Sequence, residues 1–332
     1  MVVRQHRPSM SKLWPRSGVS EMQKPIPTRE AFGEVLAELG KEFTELVVVD
    51  CDISKGTRTV YFAKAYPERY INFGIAEQNA MCAAAGLALE GKLPLISTYA
   101  VFASMRAVEQ IRTFICYDNL NVKIAVSHGG MNPSTDGVTH QASEDLGMLT
   151  TIPNLTVVAP ADYYATRVLT RAALAWQGPV YLRFSKDPVP LVYTADDTFA
   201  IGKGKVLRDG SDVTLISNGD MLPVAVEAAD MLAAQGVSVQ LIDMHTVKPL
   251  DRELVLAAAQ KTRRIVTIED HQIHGGLGGA VAELLGEERP TPMRRIGLRD
   301  TFAESGPFNA LLKKYHMDAD AIVLAARELL GK

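Results

Sequence analysis

The segment TREAFGEVLAELGKEFTELVVVD, residues 28–50, carries the two patterns that decide the fold. In its first half, apolar residues recur every three or four positions, which places them on one face of a helix with Thr28 as the N-cap. In its second half, LVVVD at 46–50 is a continuous apolar run, typical of a strand buried on both faces of a parallel sheet. A helix that leads into such a strand indicates an α/β protein. The apolar helix positions are Ala31, Phe32, Val35, Leu36 and Leu39.

Helical and strand patterns of this kind alternate along the rest of the chain. A first series ends at PVYLRF, 179–184, and a second begins at VTLIS, 213–217. Regular alternation predicts parallel sheets that are covered by helices. We therefore expect two parallel-sheet α/β domains, over residues 25–190 and 212–332, joined by a linker over 191–211. The predicted helices include those over 101–117, 162–176, 222–235 and 318–330.

Residues 1–24 differ from the rest of the chain. They are basic, contain no acidic residue before Glu21 and show no sustained periodicity. We predict a disordered tail, and a basic targeting leader is the alternative. The basic residues are Arg4, Arg7, Lys12 and Arg16.

The composition excludes several classes of partner and location. A net charge of −3 gives no general attraction to nucleic acid or to an anionic membrane, so neither partner is expected. No apolar run approaches the roughly 18 uncharged residues of a membrane helix, and the N-terminus lacks the apolar core of a secretory signal. Cys51, Cys82 and Cys116 are odd in number and form no C-x-x-C pair, which predicts reduced thiols. We expect a cytoplasmic protein.

The loop SHGGMNPSTDGVTHQ, residues 127–141, directly follows the predicted strand NVKIAVS. In open α/β sheets, ligands bind beyond the carboxyl ends of the strands. The loop places His128, Asp136 and His140 at such an end, and this concentration of polar groups favours a binding site. A metal site is the weaker alternative, because no cysteine or HExxH spacing accompanies the histidines, and we predict no metal ligand in this chain.

Two motifs near the C-terminus are less specific. EDH at 269–271 predicts either a catalytic cluster or a strand-end turn with exposed charges. GGLGG at 275–279 lacks the third glycine spacing of a dinucleotide-binding loop and predicts a tight entry to the following helix. No G-x-S-x-G elbow occurs, which argues against an α/β hydrolase.

The stretch FGIAEQNAMCAAAGLAL, residues 73–89, holds one formal charge, Glu77. A carboxylate in the first helical turn gains about 0.3–1 kcal/mol from the helix dipole. Residues 80–89 lack the charged stripe of a surface helix, which predicts that the helix is buried. A buried carboxylate requires a hydrogen-bonding partner or a raised pKa, and a ring nitrogen would be such a partner.

In their order along the chain, these motifs resemble the pyrimidine-binding and C-terminal domains of transketolase, a thiamine diphosphate enzyme. The resemblance covers the chain from about Pro27 to its C-terminus. The motifs that carry it are FGIAEQNAM, STYAVFASMRAVEQIR, the loop ending in DGVTHQ, IPNLTVVAPAD and IEDHQIHGGLGGAV.

The resemblance implies that this chain binds the pyrimidine half of thiamine diphosphate. Glu77 matches the glutamate that hydrogen-bonds the pyrimidine ring nitrogen and so promotes removal of the thiazolium proton. Phe102 matches the aromatic residue that stacks on the pyrimidine, with Tyr99 and Met105 beside it at helical spacing. For Met105, where the family often has an aromatic residue, an ordinary apolar helix face is the alternative.

The resemblance also implies a sugar site. His140 matches the histidine at the reacting end of the donor, and Asp136 matches the residue that contacts a donor hydroxyl. His128, Arg29 and Lys186 match residues around the phosphate of the sugar.

Three departures from the family pattern leave the phosphorylation state of the sugar open. The chain has Ser134-Thr135-Asp136 in place of Gly-Glu-Asp, Gly56 in place of a serine, and Lys186 in place of an arginine. Lysine is a point charge, whereas arginine binds phosphate as a bidentate fork, so the phosphate site is altered.

The sequence lacks the Gly-Asp-Gly motif with which thiamine diphosphate enzymes hold Mg²⁺ and the diphosphate. A full transketolase is also about twice this length and carries that motif in its N-terminal half. The resemblance therefore implies the C-terminal subunit of a split transketolase, which requires an N-terminal, diphosphate-binding subunit that holds the Mg²⁺. We expect an α2β2 heterotetramer.

The implied activity is the transfer of a two-carbon ketol unit from a ketose, or ketose phosphate, to an aldose or aldose phosphate. One alternative is a subunit like 1-deoxyxylulose-5-phosphate synthase. The presence of His128 disfavours this alternative. A β subunit of a 2-oxoacid dehydrogenase first component and a non-catalytic paralogue are further alternatives. Because nothing structural requires Glu77, its presence argues against the last of these.

Overall fold

The computed structural model describes residues 24–331. The predicted tail lies outside this range except for Lys24. The strands of the described part are β1 (Leu46–Asp50), β2 (Tyr70–Asn72), β3 (Leu93–Tyr99), β4 (Lys123–Ser127), β5 (Thr156–Val158), β6 (Val180–Arg183), β7 (Lys205–Arg208), β8 (Val213–Ser217), β9 (Val239–Asp243), β10 (Thr246–Lys248), β11 (Ile265–Gln272) and β12 (Met293–Leu298).

Helices separate most of these strands along the chain. They are α1 (Thr28–Leu39), α2 (Ser54–Thr57), α3 (Val60–Ala65), α4 (Glu77–Leu89), α5 (Val108–Gln110), α6 (Asp145–Thr150), α7 (Tyr163–Ala175), α8 (Leu222–Ala234), α9 (Arg252–Thr262), α10 (Gly276–Glu288), α11 (Phe308–Lys314) and α12 (Ala319–Leu330). Within residues 24–331, no helix combines the length and apolar content that a membrane span requires.

The strands form two sheets, which confirms the predicted α/β fold class. The first sheet has the order β10-β5-β6-β4-β3-β1-β2, and the second has the order β12-β11-β8-β9-β7. Every residue of the interior strands β1, β4 and β8 is buried, as expected for parallel strands that are covered on both faces. Helix α1 packs on α7 beside the first sheet, and α8 packs on α12 beside the second.

Two strand pairs are antiparallel, a detail that the prediction of parallel sheets did not include. β7 pairs with β9, and β10 crosses from the second half of the chain to pair with β5 of the first sheet. Both are short edge strands, and β7 is only partly buried. Neither therefore has the apolar run that marks a buried strand in a sequence.

The predicted N-cap of α1 is wrong. Thr28 is the first helical residue, and the capping position belongs to Pro27. The Thr28 hydroxyl instead accepts the backbone N–H of Ser185 at 2.7 Å, while the Thr28 N–H donates to the Ser185 hydroxyl at 3.0 Å. This contact joins α1 to the chain that leaves β6, and local sequence does not reveal it.

The predicted helix over 101–117 is not a regular α-helix. Its residues Phe102–Arg106 and Ile111–Cys116 are π-helical, and α5 lies between them. The Ser104 hydroxyl donates to the carbonyl of Ala100 at 2.8 Å, a side-chain bond that competes with the helical ladder. π-Helical turns occur often at functional sites.

The prediction that the helix containing Glu77 is buried holds for one part of α4 only. Glu77 is 1% exposed, but Leu89 at the other end of the helix is 70% exposed. Ile75, just before the helix, is 76% exposed. Apolar residues therefore line an outer face of α4 in the isolated chain.

Candidate active site

Parallel strand register brings the predicted site residues to one edge of the first sheet. Tyr99 ends β3 and is the direct register partner of Ser127, which ends β4. His128 follows Ser127 and therefore lies beside Tyr99. Asp50 and Arg183 end β1 and β6 at the same edge. The site is thus built at the carboxyl ends of the strands, where ligands bind in this class of fold.

Four aromatic side chains form the centre of the site. The Tyr99 ring stacks on the His128 ring with 3.8 Å between centroids. The Phe102 ring lies 5.8 Å from Tyr99 and meets the His140 ring edge-on at 5.7 Å. Tyr99 and Phe102, predicted to contact the pyrimidine, are therefore next to His128 and His140, predicted to contact the sugar.

Met105 is the exception among the predicted pyrimidine contacts. It lies in the same helical segment, is 43% exposed and takes no part in the ring contacts described above. For Met105, the pyrimidine contact and the alternative of an ordinary apolar helix face both stay predictions.

Glu77 is held by a cation that the sequence did not single out. Arg106 Nη1 donates to Glu77 Oε2 at 2.9 Å, and the Thr98 hydroxyl lies 3.5 Å from Oε1. The Arg106 guanidinium carbon lies 4.4 Å from the centroid of the Phe102 ring. A buried carboxylate needs a hydrogen-bonding partner, so a cation beside Glu77 is expected. The sequence contains several cations that could take this place and does not single out Arg106.

His128 is a neutral group in this environment. Its side chain is buried, and its Nδ1 lies 2.8 Å from the hydroxyl of Ser127. Burial, reinforced by the positive charges of Arg29 and Lys186, lowers the pKa of His128 to about 2. It can therefore contact a phosphate or hydroxyl through hydrogen bonds, but it contributes no charge near neutral pH.

Asp136 and Lys186 contact each other in the site. Lys186 Nζ donates to Asp136 Oδ1 at 2.7 Å and to the carbonyl of Pro133 at 3.1 Å. The other Asp136 oxygen lies 3.6 Å from His128 Nε2. His128, Asp136 and Lys186, all predicted to contact the substrate, therefore lie together. Lys186, the cation among them, already has Asp136 as an anionic partner.

Arg29 approaches the site through Gly56. Its Nη1 donates to the Gly56 carbonyl at 2.9 Å. A Cβ atom on Gly56 would lie 2.3 Å from the Tyr99 hydroxyl. Tyr99 thus fills the space that a serine side chain would need at this position.

The loop that carries His128 is anchored by Asp270. Oδ1 of Asp270 accepts the N–H of Met131 at 2.9 Å, and Oδ2 accepts that of Asn132 at 3.1 Å. Gly130 has φ of 61°, and a Cβ there would lie 2.0 Å from Asp270 Oδ2. The second domain therefore fixes the loop of the first.

The prediction of a strand-end turn with exposed charges at 269–271 is consequently wrong. Glu269, Asp270 and His271 are all at most 1% exposed. Glu269 accepts the N–H groups of Leu277 and Gly278 at the start of α10, and the GGLGG motif forms the predicted tight entry to that helix. The pattern of apolar residues in the sequence does not predict that three consecutive polar residues of one strand are buried.

The donor chemistry fits the pyrimidine of thiamine diphosphate. The buried Glu77 carboxylate can share a proton with a ring nitrogen, and the Phe102 ring, which Arg106 links to Glu77, offers a stacking surface. Residues 24–331 contain no group of three or more His, Cys, Asp or Glu side chains placed to hold a metal ion.

Comparisons with known proteins agree with this geometry. The transketolase pyrimidine-binding domain matches residues 24–191, and the transketolase C-terminal domain matches residues 202–322. The chain belongs to the transketolase family. Within that family it corresponds to the C-terminal section of a split transketolase.

Two relatives match nearly the whole chain. A Methanocaldococcus jannaschii protein named for a transketolase C-terminal section is 43% identical over 307 residues, which cover 92% of this chain and 96% of that protein. A 6-deoxy-6-sulfo-D-fructose transketolase subunit of a Clostridium species is 38% identical over 301 residues, which cover 91% of this chain and 94% of that subunit.

One solved structure is similar over almost the same extent. It is described as a split gene transketolase in the form of an inactive β4 tetramer. It is 49% identical in sequence, with a TM-score of 0.86, and the match covers 92% of this chain and 99% of that one.

Proposed function

We propose that this chain is the C-terminal subunit of a thiamine diphosphate-dependent split transketolase. It transfers a two-carbon ketol unit from a ketose to an aldose when it is assembled with an N-terminal subunit that holds the diphosphate and Mg²⁺. One observation carries the proposal: buried Glu77 is linked through Arg106 to Phe102, whose ring contacts His140. A pyrimidine site and a sugar site therefore adjoin.

When bound, thiamine diphosphate would supply a nucleophilic carbon for cleavage of the carbon–carbon bond beside the donor ketone. Glu77 hydrogen-bonds the ring nitrogen and shares a proton with it, because a carboxylate in a dry site is a strong hydrogen-bonding partner. Phe102 stacks on the ring and fixes its plane. Thr98, within 3.5 Å of Glu77, orients the carboxylate.

The sugar-contacting residues act next to this centre. His140, at the edge of Phe102, contacts the reacting end of the donor and moves protons at its oxygen atoms. Asp136 accepts a hydrogen bond from a donor hydroxyl. Arg29 and Lys186 bind an anionic group at the far end of the sugar, and neutral His128 donates a hydrogen bond there.

A partner subunit covers part of the exposed apolar surface in this proposal. Ile75 just before α4 and Leu89 at its end are exposed, and Phe114 in the segment Ile111–Cys116 and Tyr117 directly after it are 46% and 81% exposed. Exposed apolar groups of this size are typical of an interface. The inactive form of the 49% identical structure, which holds β chains alone, supports the need for a second subunit, and we propose an α2β2 assembly.

Reconstitution tests the proposed activity. The chain should be co-expressed with a diphosphate-domain transketolase subunit from the same organism, and the purified complex screened against ketose donors with and without phosphate. We expect ketol transfer by the complex and none by either subunit. A complex that binds thiamine diphosphate yet cleaves no ketose, or that decarboxylates 2-oxoacids instead, would contradict the proposal.

A further inference from the structure

Arg106 makes both contacts that the proposed function assigns to the cofactor's pyrimidine. Its guanidinium hydrogen-bonds Glu77 Oε2 at 2.9 Å and lies over the Phe102 ring at 4.4 Å. A guanidinium and an aminopyrimidine are both planar groups with hydrogen-bond donors at the edge and a face that stacks on aromatic rings. Two planar groups cannot occupy the same edge of one carboxylate and the same ring face.

The two residues of this ion pair differ strongly in exposure. The Glu77 side chain is 1% exposed, whereas the Arg106 side chain is 45% exposed. Arg106 can therefore swing into solvent without a rearrangement of the core, but Glu77 cannot follow it. The carboxylate is a fixed feature of the site, and the arginine is its movable partner.

We propose that Arg106 is a positioning residue that holds Glu77 in the free chain and leaves it when the pyrimidine binds. The inference rests on the proposed function, because it takes Glu77 and Phe102 as the pyrimidine contacts. In the free chain, Arg106 prevents the burial of an unpaired carboxylate, which would be strongly unfavourable. On binding, a proton taken up from solvent would be shared between Glu77 Oε2 and the ring nitrogen in place of the guanidinium, and Arg106 would move outward.

This exchange has a thermodynamic consequence that a structural role would not have. An interaction made only in the free state opposes binding, since it must be given up when the ligand arrives. Removal of Arg106 should therefore destabilise the free chain and strengthen cofactor binding. If Arg106 instead supports the site in both states, its removal should weaken both.

Three variants separate these cases. Arg106→Met keeps the side-chain length but removes the ion pair and the planar group. Arg112→Met removes a charge at an exposed position of the next π-helical segment, Ile111–Cys116, and serves as the matched control. Glu77→Gln reports on the proposed function itself, because it removes the acid that the cofactor needs.

Two readouts apply to each variant. The melting temperature of the free chain should fall in Arg106→Met and stay unchanged in Arg112→Met. Thiamine diphosphate titrated into the complex with the N-terminal subunit should bind Arg106→Met about three- to tenfold more tightly than wild type, as expected for the loss of one exposed ion pair with a cation–π contact. The free aminopyrimidine half of thiamine, titrated into the chain alone, should rank wild type and the variants in the same order of affinity.

The outcomes are distinct. Equal or weaker cofactor binding by Arg106→Met, with Glu77→Gln also weakened, would overturn the exchange and leave the proposed function standing. If Glu77→Gln leaves both cofactor affinity and thiazolium proton exchange at wild-type levels, the proposed function itself fails. Tighter binding by Arg106→Met together with a lower melting temperature supports the exchange.

Discussion

Lys186 Nζ lies 2.7 Å from Asp136 Oδ1, so the cation expected to bind a substrate phosphate is already neutralised within the chain. Among residues 24–331, Arg29 forms no ion pair and donates to the Gly56 carbonyl instead. A substrate anion must compete with Asp136 for Lys186, but it meets no such competitor at Arg29. The two cations should therefore contribute unequally to substrate binding.

Arg29→Ala should raise KM for an aldose phosphate by about tenfold or more, as expected for a charged hydrogen bond of about 1.5–3 kcal/mol. Lys186→Ala should raise it less, because Lys186 must leave Asp136 in order to bind. Steady-state kinetics with phosphorylated and free forms of the same aldose measure both effects. Arg171→Ala, which breaks an exposed ion pair with Glu42, is the control. Equal losses on both aldoses would mean that Arg29 supports the fold and not the anion.

Glu77→Gln keeps the shape of the side chain but removes its acid. We expect a modest loss of cofactor affinity and a thiazolium proton exchange rate at least about 100-fold lower, the usual contribution of a positioned acid–base group. Hydrogen–deuterium exchange at the thiazolium carbon of the bound cofactor, followed by NMR, measures this rate. Glu109→Gln, at an exposed position on the neighbouring segment, should exchange like wild type. A wild-type thiazolium proton exchange rate in Glu77→Gln would contradict the proposed role of the acid. It would mean that Glu77 only interacts with the helix dipole.

The Asp145 carboxylate holds a buried network below the site. Its Oδ2 accepts from Arg183 Nε at 2.9 Å and from the Tyr181 hydroxyl at 2.7 Å. Asp145→Ala leaves a buried guanidinium without its carboxylate and should lower the free energy of unfolding by about 3–5 kcal/mol. Urea denaturation measures the loss. Glu288→Ala, which breaks an exposed pair with Arg252, should cost less than about 1 kcal/mol, and a similar cost for both variants would contradict the expected role of burial.

His128 makes stability depend on pH with a definite sign. Its pKa is about 2 in the folded chain and 6.5 in the unfolded chain, so below pH 6.5 only the unfolded chain takes up the proton. The stabilisation is complete above pH 6.5 and declines as the pH falls, by up to ~1.4 kcal/mol per pH unit. His128→Phe, which retains a ring for Tyr99, should show a shallower loss between pH 6.5 and about pH 5 in denaturation experiments. If the stability of wild type and of the variant falls in parallel with pH, His128 is not shielded from protonation in the folded chain.

Sequence patterns indicate those parts of the site that depend only on where each strand or helix begins and ends along the chain. Alternating helices and apolar strands imply parallel register, and that register places Tyr99 beside Ser127 and hence beside His128. The order of the motifs places Glu77 and Phe102 in the same region. The positions of these side chains follow directly from the strand ends and the first turns of helices, which local sequence patterns indicate.

The remaining contacts depend on loop conformation and on distant parts of the chain. Asp270 is 139 residues from Met131, whose N–H it accepts. The Lys186–Asp136 pair requires a loop in which both His128 and Ser134 have positive φ, a backbone state that their residue types do not predict. The choice of Arg106 as the partner of Glu77 depends on π-helical turns, which shift the side chains from their α-helical spacing.

The central claim is that this chain supplies the pyrimidine half of a cofactor site whose diphosphate half lies on another subunit. Isothermal titration calorimetry of Mg²⁺ and thiamine diphosphate into the chain alone, and into the chain with its N-terminal partner, tests it directly. We expect weak, Mg²⁺-independent binding to the chain alone and strong, Mg²⁺-dependent binding to the assembled complex. Strong Mg²⁺-dependent binding by the isolated chain would contradict the claim.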